Sequence, residues 1–288
     1  MIVTGFYAET PRYIEYFQQI FNKVGLNSDD IEIVLYPSIA IGKTKHRILL
    51  VAEAVKNYNP VWYQGYIVLG CATLDEPWPK YIPKENYTWW PYAAWCNPPV
   101  TQEEIVEERN IRSKTPKTHF CGLVRAYNNG PERNIFIEMV SKYKRIDSAG
   151  KWKNNMPNGW VVPGRHYSKE LRDFYSTCKF VIACENTQTP GYITEKFINP
   201  LRSGSVPIYW GCPKLNETKL VNPATYIDIS TFPSLEDAIK HIEFIDNNDE
   251  AYQAMLNAPL LLSPLMSDKP LVDTLTKLKN DKDTDSGN

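Results

Sequence analysis

The 288-residue sequence lacks most of the features that would assign it to a class at once. No apolar run reaches the ~18 residues that a membrane-spanning helix requires. The opening residues, MIVTGFYAETPRYIEYF, have neither a basic region nor an apolar core, so no signal peptide is expected there. An excess of charge of one sign is also missing. A net charge of −1 argues against a nucleic-acid binder or a polybasic membrane anchor. The six cysteines (Cys71, Cys96, Cys121, Cys178, Cys184 and Cys212) form no Cys-x-x-Cys pair, and the four histidines are too scattered for a zinc signature. The cysteines are therefore expected to be buried free thiols of a reducing compartment. There is no Gly-x-Gly-x-x-Gly after a strand, no Walker loop and no Gly-x-Ser-x-Gly elbow. That excludes the usual dinucleotide, P-loop and serine-hydrolase readings. Asp-x-Asp pairs occur only among Asp281, Asp283 and Asp285 in a polar tail, and Asp246-Asn-Asn-Asp249 falls on an expected surface turn. No metal site and no required cofactor are expected.

What is present is the composition of a folded, soluble protein. At 43% hydrophobic and 23% charged residues, the chain can bury a core, and its length suits two domains. Apolar spacing predicts a strand over 2–6, a helix over 11–24 behind the Thr10-Pro11 start, and strands over 31–36, 47–52 and 66–69. Residues 76–99 crowd Pro, Trp and Tyr and read as irregular loop. A charged helix over 103–112 precedes the linker candidate Ser113-Lys-Thr-Pro-Lys-Thr118. Beyond it come a strand over 119–124, a helix over 131–142, a strand over 143–147, a loop over 151–163 and a helix from Ser168 to about 177. A strand over 180–183, a helix over 193–203 with Pro200 as a kink, a stop at Gly204 and a strand over 206–209 follow. Helices over 235–245, 250–256 and 272–278 close the folded part, and 279–288 reads as a disordered tail. The alternation is that of an α/β protein. The expected domains are 1–113 and 119–265, followed by a helix and polar tail over 266–288. Asn86-Tyr-Thr and Asn216-Glu-Thr fit the glycosylation pattern, which is common by chance.

The densest chemistry lies in Phe180 to Gly211, FVIACENTQTPGYITEKFINPLRSGSVPIYWG. A strand-to-helix junction there gathers Glu185, Asn186, Tyr192, Thr194, Glu195 and Lys196. Such junctions bind phosphorylated ligands in open α/β sheets. Lys196 falls in the first helical turn, where a cation opposes the helix dipole. Stability alone would not favour it there, whereas phosphate binding would. A solvated lysine on a helix face is the plain alternative. Arg133 is a second cation, in CGLVRAYNNGPERNIF, and its planar fork can hold two phosphate oxygens. Its plain alternative is a surface salt bridge. Asn129, Asn186 and Tyr192 can donate to phosphate or ribose. Glu185 reads as the structural tie of the turn as readily as a ligand group. Glu53, directly after the apolar run ILLVA, sits where a parallel sheet presents functional groups. It is the candidate general base, with Asp75 and Glu76 in reserve. Trp89, Trp90 and Trp95, with Tyr92, could line a sugar groove or simply pack the core.

The Glu-Asn-Thr turn, the Tyr-Ile-Thr-Glu-Lys helix start and the Val-Pro-Ile strand ending in Gly resemble the signature of the α-1,3/4-fucosyltransferases, glycosyltransferase family 10, and are closer to its soluble bacterial-type members. The resemblance spans roughly 117–256 and is loose before Pro116. One departure is Ala126-Tyr127, where many members carry Ser-Asn. The resemblance implies two Rossmann-like domains facing a cleft (GT-B type). The N-terminal domain would hold the acceptor and the C-terminal domain the sugar nucleotide. It implies an inverting transfer of L-fucose from GDP-fucose to an oligosaccharide or glycoconjugate acceptor, by an α-1,3 link to GlcNAc or Glc. Glu53 and Glu195 would be catalytic. Arg133, Asn129, Asn186, Tyr192, Glu195 and Lys196 would bind the donor, and divalent metal would at most stimulate. A soluble cytoplasmic chain is expected, peripheral membrane association remaining compatible with it. A related transferase of another GDP-deoxysugar, or a non-catalytic sugar-nucleotide or glycan-binding protein, are the alternatives.

Overall fold

The computed structural model describes residues 2–5, 11–26, 28–35, 44–54, 65–73, 82–96, 100–128, 130–164, 166 and 168–285. The chain divides into two compact units. The first takes Met1–Thr101, Thr189–Tyr192 and Pro264–Asn288, and the second takes Gln102–Gln188 and Ile193–Ser263.

The first unit runs β1 (Ile2–Gly5), α1 (Pro11–Val24), β2 (Ile31–Leu35), β3 (His46–Val51), β4 (Tyr66–Gly70) and β5 (Tyr87–Trp89). The strands form one parallel sheet in the order β1-β2-β3-β4-β5. Strand β2 is buried along its whole length, as expected for a parallel strand covered on both faces. The short β5 lies inside the stretch that the sequence marks as irregular. A three-residue strand bracketed by two short 3-10 turns is too brief to leave a periodic signal.

The second unit runs α2 (Gln102–Arg112), β6 (His119–Leu123), α3 (Pro131–Tyr143), β7 (Ile146–Ser148), α4 (Lys169–Ser176), β8 (Cys178–Cys184), α5 (Glu195–Arg202), β9 (Val206–Trp210), β10 (Ile227–Asp228), α6 (Leu235–Asn247) and α7 (Asp249–Asn257). Its sheet is also all parallel, in the order β10-β9-β8-β6-β7. Strand β8 serves two cores. Phe180, Ile182 and Cys184 meet α3 and α6 through Phe136, Ile137, Val140 and Ile242, while Cys178 and Val181 meet Leu171 and Phe174 of α4. Helix α4 starts at Ser168, whose Oγ accepts from Leu171 N at 3.2 Å. Helix α5 continues through Pro200 and ends two residues later, before Gly204 with φ +68°. Phe197, Ile198 and Leu201 on α5 are 0–1% exposed. Each contributes on the order of 1.5–3 kcal/mol by burial, so the helix start is firmly placed.

Two expectations change. Helix α2 groups with the second unit, not with residues 1–113. The cause is Arg109, 1% exposed, which donates to Leu201 O, Met255 O and Leu256 O at 3.4, 3.3 and 3.0 Å. Burial lowers its pKa to about 10. The tail 279–288 is not disordered throughout, because helix α8 spans Lys269–Asp285. Leu271, Leu275 and Leu278 are buried at helical spacing, and Lys279 Nζ caps α1 by donating to Val24 O at 3.0 Å. All six cysteines are free and buried. Among the described residues, no helix is long and apolar enough to cross a membrane.

Candidate active site

In the second unit the chain leaves β6 for β7 on one side and later returns to β8 on the other. The neighbouring carboxyl ends of β6 and β8 therefore carry loops that diverge, which is where open α/β sheets form their ligand crevice. Glu185 follows β8 directly and is fully buried. Its Oε1 accepts from Thr194 N and its Oε2 from Thr194 Oγ1, both at 2.7 Å. Its own N donates to Trp210 O at 2.8 Å. The structural reading of Glu185 is thus what the geometry shows: it ties the ends of β8 and β9 to the start of α5. Gly211 belongs to the same knot, since a Cβ there would lie 2.4 Å from Glu185 Cγ.

Thr194 caps α5, its Oγ1 accepting from Lys196 N at 3.3 Å. Lys196 Nζ lies 3.0 Å from Glu195 Oε1, 3.2 Å from Thr194 Oγ1 and 3.8 Å from Glu185 Oε2. One lysine thus serves two carboxylates, and they respond differently. Burial raises the Glu185 pKa to about 7, with Lys196 only partly opposing it. Burial also acts on Glu195, but Lys196 and His166 outweigh it and hold that carboxyl below its usual range. The closer partner wins the charge.

A pH prediction follows from the raised Glu185 pKa. An unfolded glutamate titrates near 4.5 and the folded one near 7. Its contribution to stability is therefore fully present below the unfolded value and is lost as pH rises through about 7. Glu185→Gln keeps the oxygen for Thr194 N and removes the titration. The stability advantage of the wild type over Glu185→Gln should shrink as pH rises from about 5 to about 8. Chemical denaturation at several pH values measures it, and an advantage that grows with pH contradicts it.

Arg133, in the first turn of α3, is 3% exposed, not a surface residue. Its Nη1 donates to Cys184 O, Glu185 O and Asn186 Oδ1 at 3.3, 3.0 and 3.2 Å. Asn186 is exposed beside it. The structure thus brings Arg133, Asn186, Glu195 and Lys196 to the β8–α5 junction. Asn129 lies outside the described residues, as do Asp75 and Glu76. Arg125 was given no role by the sequence. It stands just past β6, with Nη1 donating to Asn134 Oδ1 at 2.5 Å. The available signal was its position as the first charged residue after an apolar strand that opens the crevice.

In the first unit, Glu53 lies just beyond β3 and is exposed. Its Oε2 accepts from Tyr192 Oη at 3.0 Å, and its backbone carbonyl accepts from Cys71 Sγ at 3.2 Å. Tyr192 is 1% exposed. Segment 189–192 is pinned to the ends of β4 and β5: Thr73 N donates to Pro190 O at 2.9 Å and Trp89 Nε1 to Gly191 O at 3.1 Å. Gly191 has φ +83°, and a Cβ would approach Thr73 N to 2.7 Å and Trp89 Nε1 to 2.8 Å. Gly191→Ala is expected to destabilise the protein by about 1–3 kcal/mol and to lower turnover through the displaced Tyr192. Unchanged denaturation midpoint and kinetics would contradict this.

The aromatic groove needs correction. Trp90 is 0% exposed and its Nε1 donates to Ser267 O at 2.8 Å. Trp95 is 3% exposed, its ring 4.7 Å from Tyr92 and 5.7 Å from Trp90. Both are core side chains and cannot line an acceptor groove in this form. Trp89 alone remains half-buried at the strand end. Among the described residues no His, Cys, Asp and Glu group is disposed to hold a metal.

Residues 112–257 match the C-terminal part of glycosyltransferase family 10 (fucosyltransferase). Protein R654 of Acanthamoeba polyphaga mimivirus, assigned to fucosyl transfer by name only, is 38% identical over 169 residues, covering 56% of this chain and 27% of that protein. The α-(1,3)-fucosyltransferase FucT of Helicobacter pylori is 32% identical over 147 residues, covering 51% of this chain and 29% of that one. The aligned part thus spans under a third of either relative's length. A crystal structure of an α1,3-fucosyltransferase with GDP-fucose superposes with a TM-score of 0.65 at 20% identity, covering 96% of this chain and 88% of that one. The two parallel α/β units are those of the GT-B fold. With residues 112–257, half of this chain, matching the family's C-terminal part, and with the Glu-Asn-Thr turn and Tyr-Ile-Thr-Glu-Lys helix start in the geometry just described, this chain belongs to glycosyltransferase family 10, the fucosyltransferases.

Proposed function

We propose that the chain transfers L-fucose from GDP-fucose to a hydroxyl of an oligosaccharide or glycoconjugate, with inversion, by an α-1,3 link to GlcNAc or Glc. The observation that carries this reading is the β8–α5 junction, where Lys196 and Arg133 sit at the helix start and the strand end. The leaving GDP takes the electron pair of the breaking bond between the anomeric carbon and the phosphate oxygen. Cations and a helix N-terminus there stabilise the charge as it develops. Asn186 and Asn129 add donors to the nucleotide, and Glu195 lies beside the donor sugar.

Glu53 takes the proton of the acceptor hydroxyl as its oxygen bonds to the anomeric carbon. Tyr192 Oη donates to Glu53 Oε2 at 3.0 Å, and the lone pairs left on the carboxylate are free to receive the proton. A phenol has one proton to donate. While it lies on Glu53, Tyr192 serves the donor as an acceptor, from a ribose or sugar hydroxyl, and not as a phosphate donor.

Turnover should survive EDTA, because cationic side chains supply the charge that a metal would otherwise bring. Divalent ions would at most speed release of GDP. Complete loss in chelator, restored by manganese, would contradict this. The donor assignment is tested by GDP release from GDP-fucose against other GDP-sugars in the presence of a glycan acceptor. Preference for GDP-fucose is expected. Preference for another GDP-deoxysugar would replace the donor, and tight binding without release would make the chain a binding protein.

A further inference from the structure

We propose that the exposed face of α2, with segment 260–262 beside it, is a self-association surface on which a second copy of this chain docks antiparallel about a two-fold axis. The inference is independent of the transfer reaction and concerns the second unit alone.

Both walls of the surface are fixed. Helix α2 turns Ile105 and Arg109 inward, 8% and 1% exposed. Arg109 Nη2 donates to Met255 O and Leu256 O, and Gln102 Nε2 donates to Ser263 O at 2.6 Å, so the helix is tied along its length to segment 255–263. That segment is held from its other side as well. Asn222 N donates to Leu261 O at 3.1 Å, Ser263 N donates to Leu220 O at 2.9 Å, and Val221 pairs with Leu262 in an antiparallel bridge. Between helix and segment lies a groove of about 530 Å³ whose apolar lining is Val106, Ile111, Leu260, Leu261 and Leu262. Walls fixed in advance reduce the ordering cost of binding.

The groove shows more apolar surface than its setting requires. Ile111 is 62% exposed and Leu261 is 66% exposed. Leu261 is held through its backbone carbonyl and Ile111 stands on the helix, so neither exposure is that of a loose loop end. A single exposed leucine is ordinary, whereas two large apolar side chains sharing one groove are what a docking surface presents.

The charges say which partner fits. Glu103, Val106, Glu107, Asn110, Ile111 and Lys114 follow the i, i+3, i+4, i+7, i+8, i+11 spacing of one helix face, and all six line the groove. Lys114 keeps that spacing just past the helix end, its N donating to Ile111 O at 3.3 Å. The face is therefore acidic at its start and basic at its end, with Glu103 and Lys114 roughly 16 Å apart at 1.5 Å per residue. Glu103, Glu107 and Lys114 are exposed, and among the described residues none of them forms an ion pair. A two-fold axis midway between Glu103 and Lys114 sets Glu103 of each copy opposite Lys114 of the other, with Glu107 beside Asn110 of the other. The contact is isologous, using the same patch on both copies. Val106, Ile111 and Leu261 of the two copies supply its apolar part, and two ion pairs close its ends. A parallel arrangement would set like charges against each other at both ends. A partner of one sign would satisfy one end of the groove and oppose the other, whereas a second copy satisfies both.

The test is sedimentation equilibrium of the full chain over a concentration series, at low and high salt, for wild type, Glu103→Lys, Lys114→Glu and Ile111→Glu. All three positions are exposed, so the fold should persist, and a melting curve checks it. Wild type should dimerise, and less tightly at high salt. Each charge reversal turns both symmetry-related ion pairs into repulsions and should weaken the dimer by about 10–100-fold. Ile111→Glu should abolish it, and Leu261→Ser takes its place should that variant not fold. The decisive arm is an equimolar mixture of Glu103→Lys with Lys114→Glu. In the mixed dimer both ends regain opposite charges, so the affinity should return close to that of wild type. Wild type that stays monomeric at every concentration overturns the inference. A dimer indifferent to Ile111→Glu also overturns it, since its contact lies elsewhere. Weakening by both charge reversals without recovery on mixing overturns the antiparallel pairing.

Discussion

Glu53→Gln should lower fucose transfer by about 10²–10⁴-fold, the usual contribution of a general base, while GDP binding stays unchanged. The structure makes this substitution unusually clean. Tyr192 Oη donates to Glu53 Oε2 at 3.0 Å, and the amide oxygen of glutamine can accept the same bond. Glu53 is exposed, so no core is disturbed, and what disappears is basicity. Tyr192→Phe is the companion variant. It leaves the base in place but removes its hydrogen bond, so kcat should fall less than in Glu53→Gln. A Glu53→Gln protein with near-normal transfer would move the base to Asp75, Glu76 or Glu195.

Lys196→Ala should weaken GDP-fucose turnover by about 10–100-fold, the value of one charge-assisted contact of roughly 1.5–3 kcal/mol. The loss grows if that contact tightens as the leaving group takes up charge. Lys196 is 30% exposed at its side chain, so the fold should persist. There is a second consequence. Without Lys196, Glu185 and Glu195 face each other with no shared cation, and one of them should hold its proton to higher pH. Wild-type kinetics in a folded Lys196→Ala protein would end the phosphate assignment. Arg133→Ala is a less pure test than its sequence suggests. Its guanidinium supports two carbonyls at the end of β8, so the variant should lose stability as well as turnover.

The sequence disclosed the β8–α5 junction because everything it needs is local. An apolar strand, a capping threonine and a charged first turn lie within one short stretch, and the helix start expected there is seen with Thr194 as its cap. The parallel α/β character was legible for the same reason: strands and helices alternate with their own periods. What was hidden depended on partners far along the chain. Arg109 looks like one charge among many in α2, and only its bonds to carbonyls near residues 201 and 255 place that helix with the second unit. Composition made the last ten residues look disordered, yet helix α8 is carried most of the way by three leucines packed before them. Trp90 and Trp95 show the limit for aromatic residues. Nothing in their spacing says whether a ring faces a sugar or a core, and here both face the core. The base candidate Glu53 was legible as a strand-end carboxylate, but its hydroxyl partner, Tyr192, lies 139 residues away.

The central claim is an inverting fucose transfer, and the structure of the product tests it most directly. The full chain should be supplied with GDP-fucose and a panel of GlcNAc- and Glc-containing acceptors, and the purified product examined by NMR. The account predicts fucose joined to an acceptor hydroxyl with the anomeric configuration opposite to that of the donor. GDP-fucose bound without transfer, or a product that retains the donor's configuration, would contradict it.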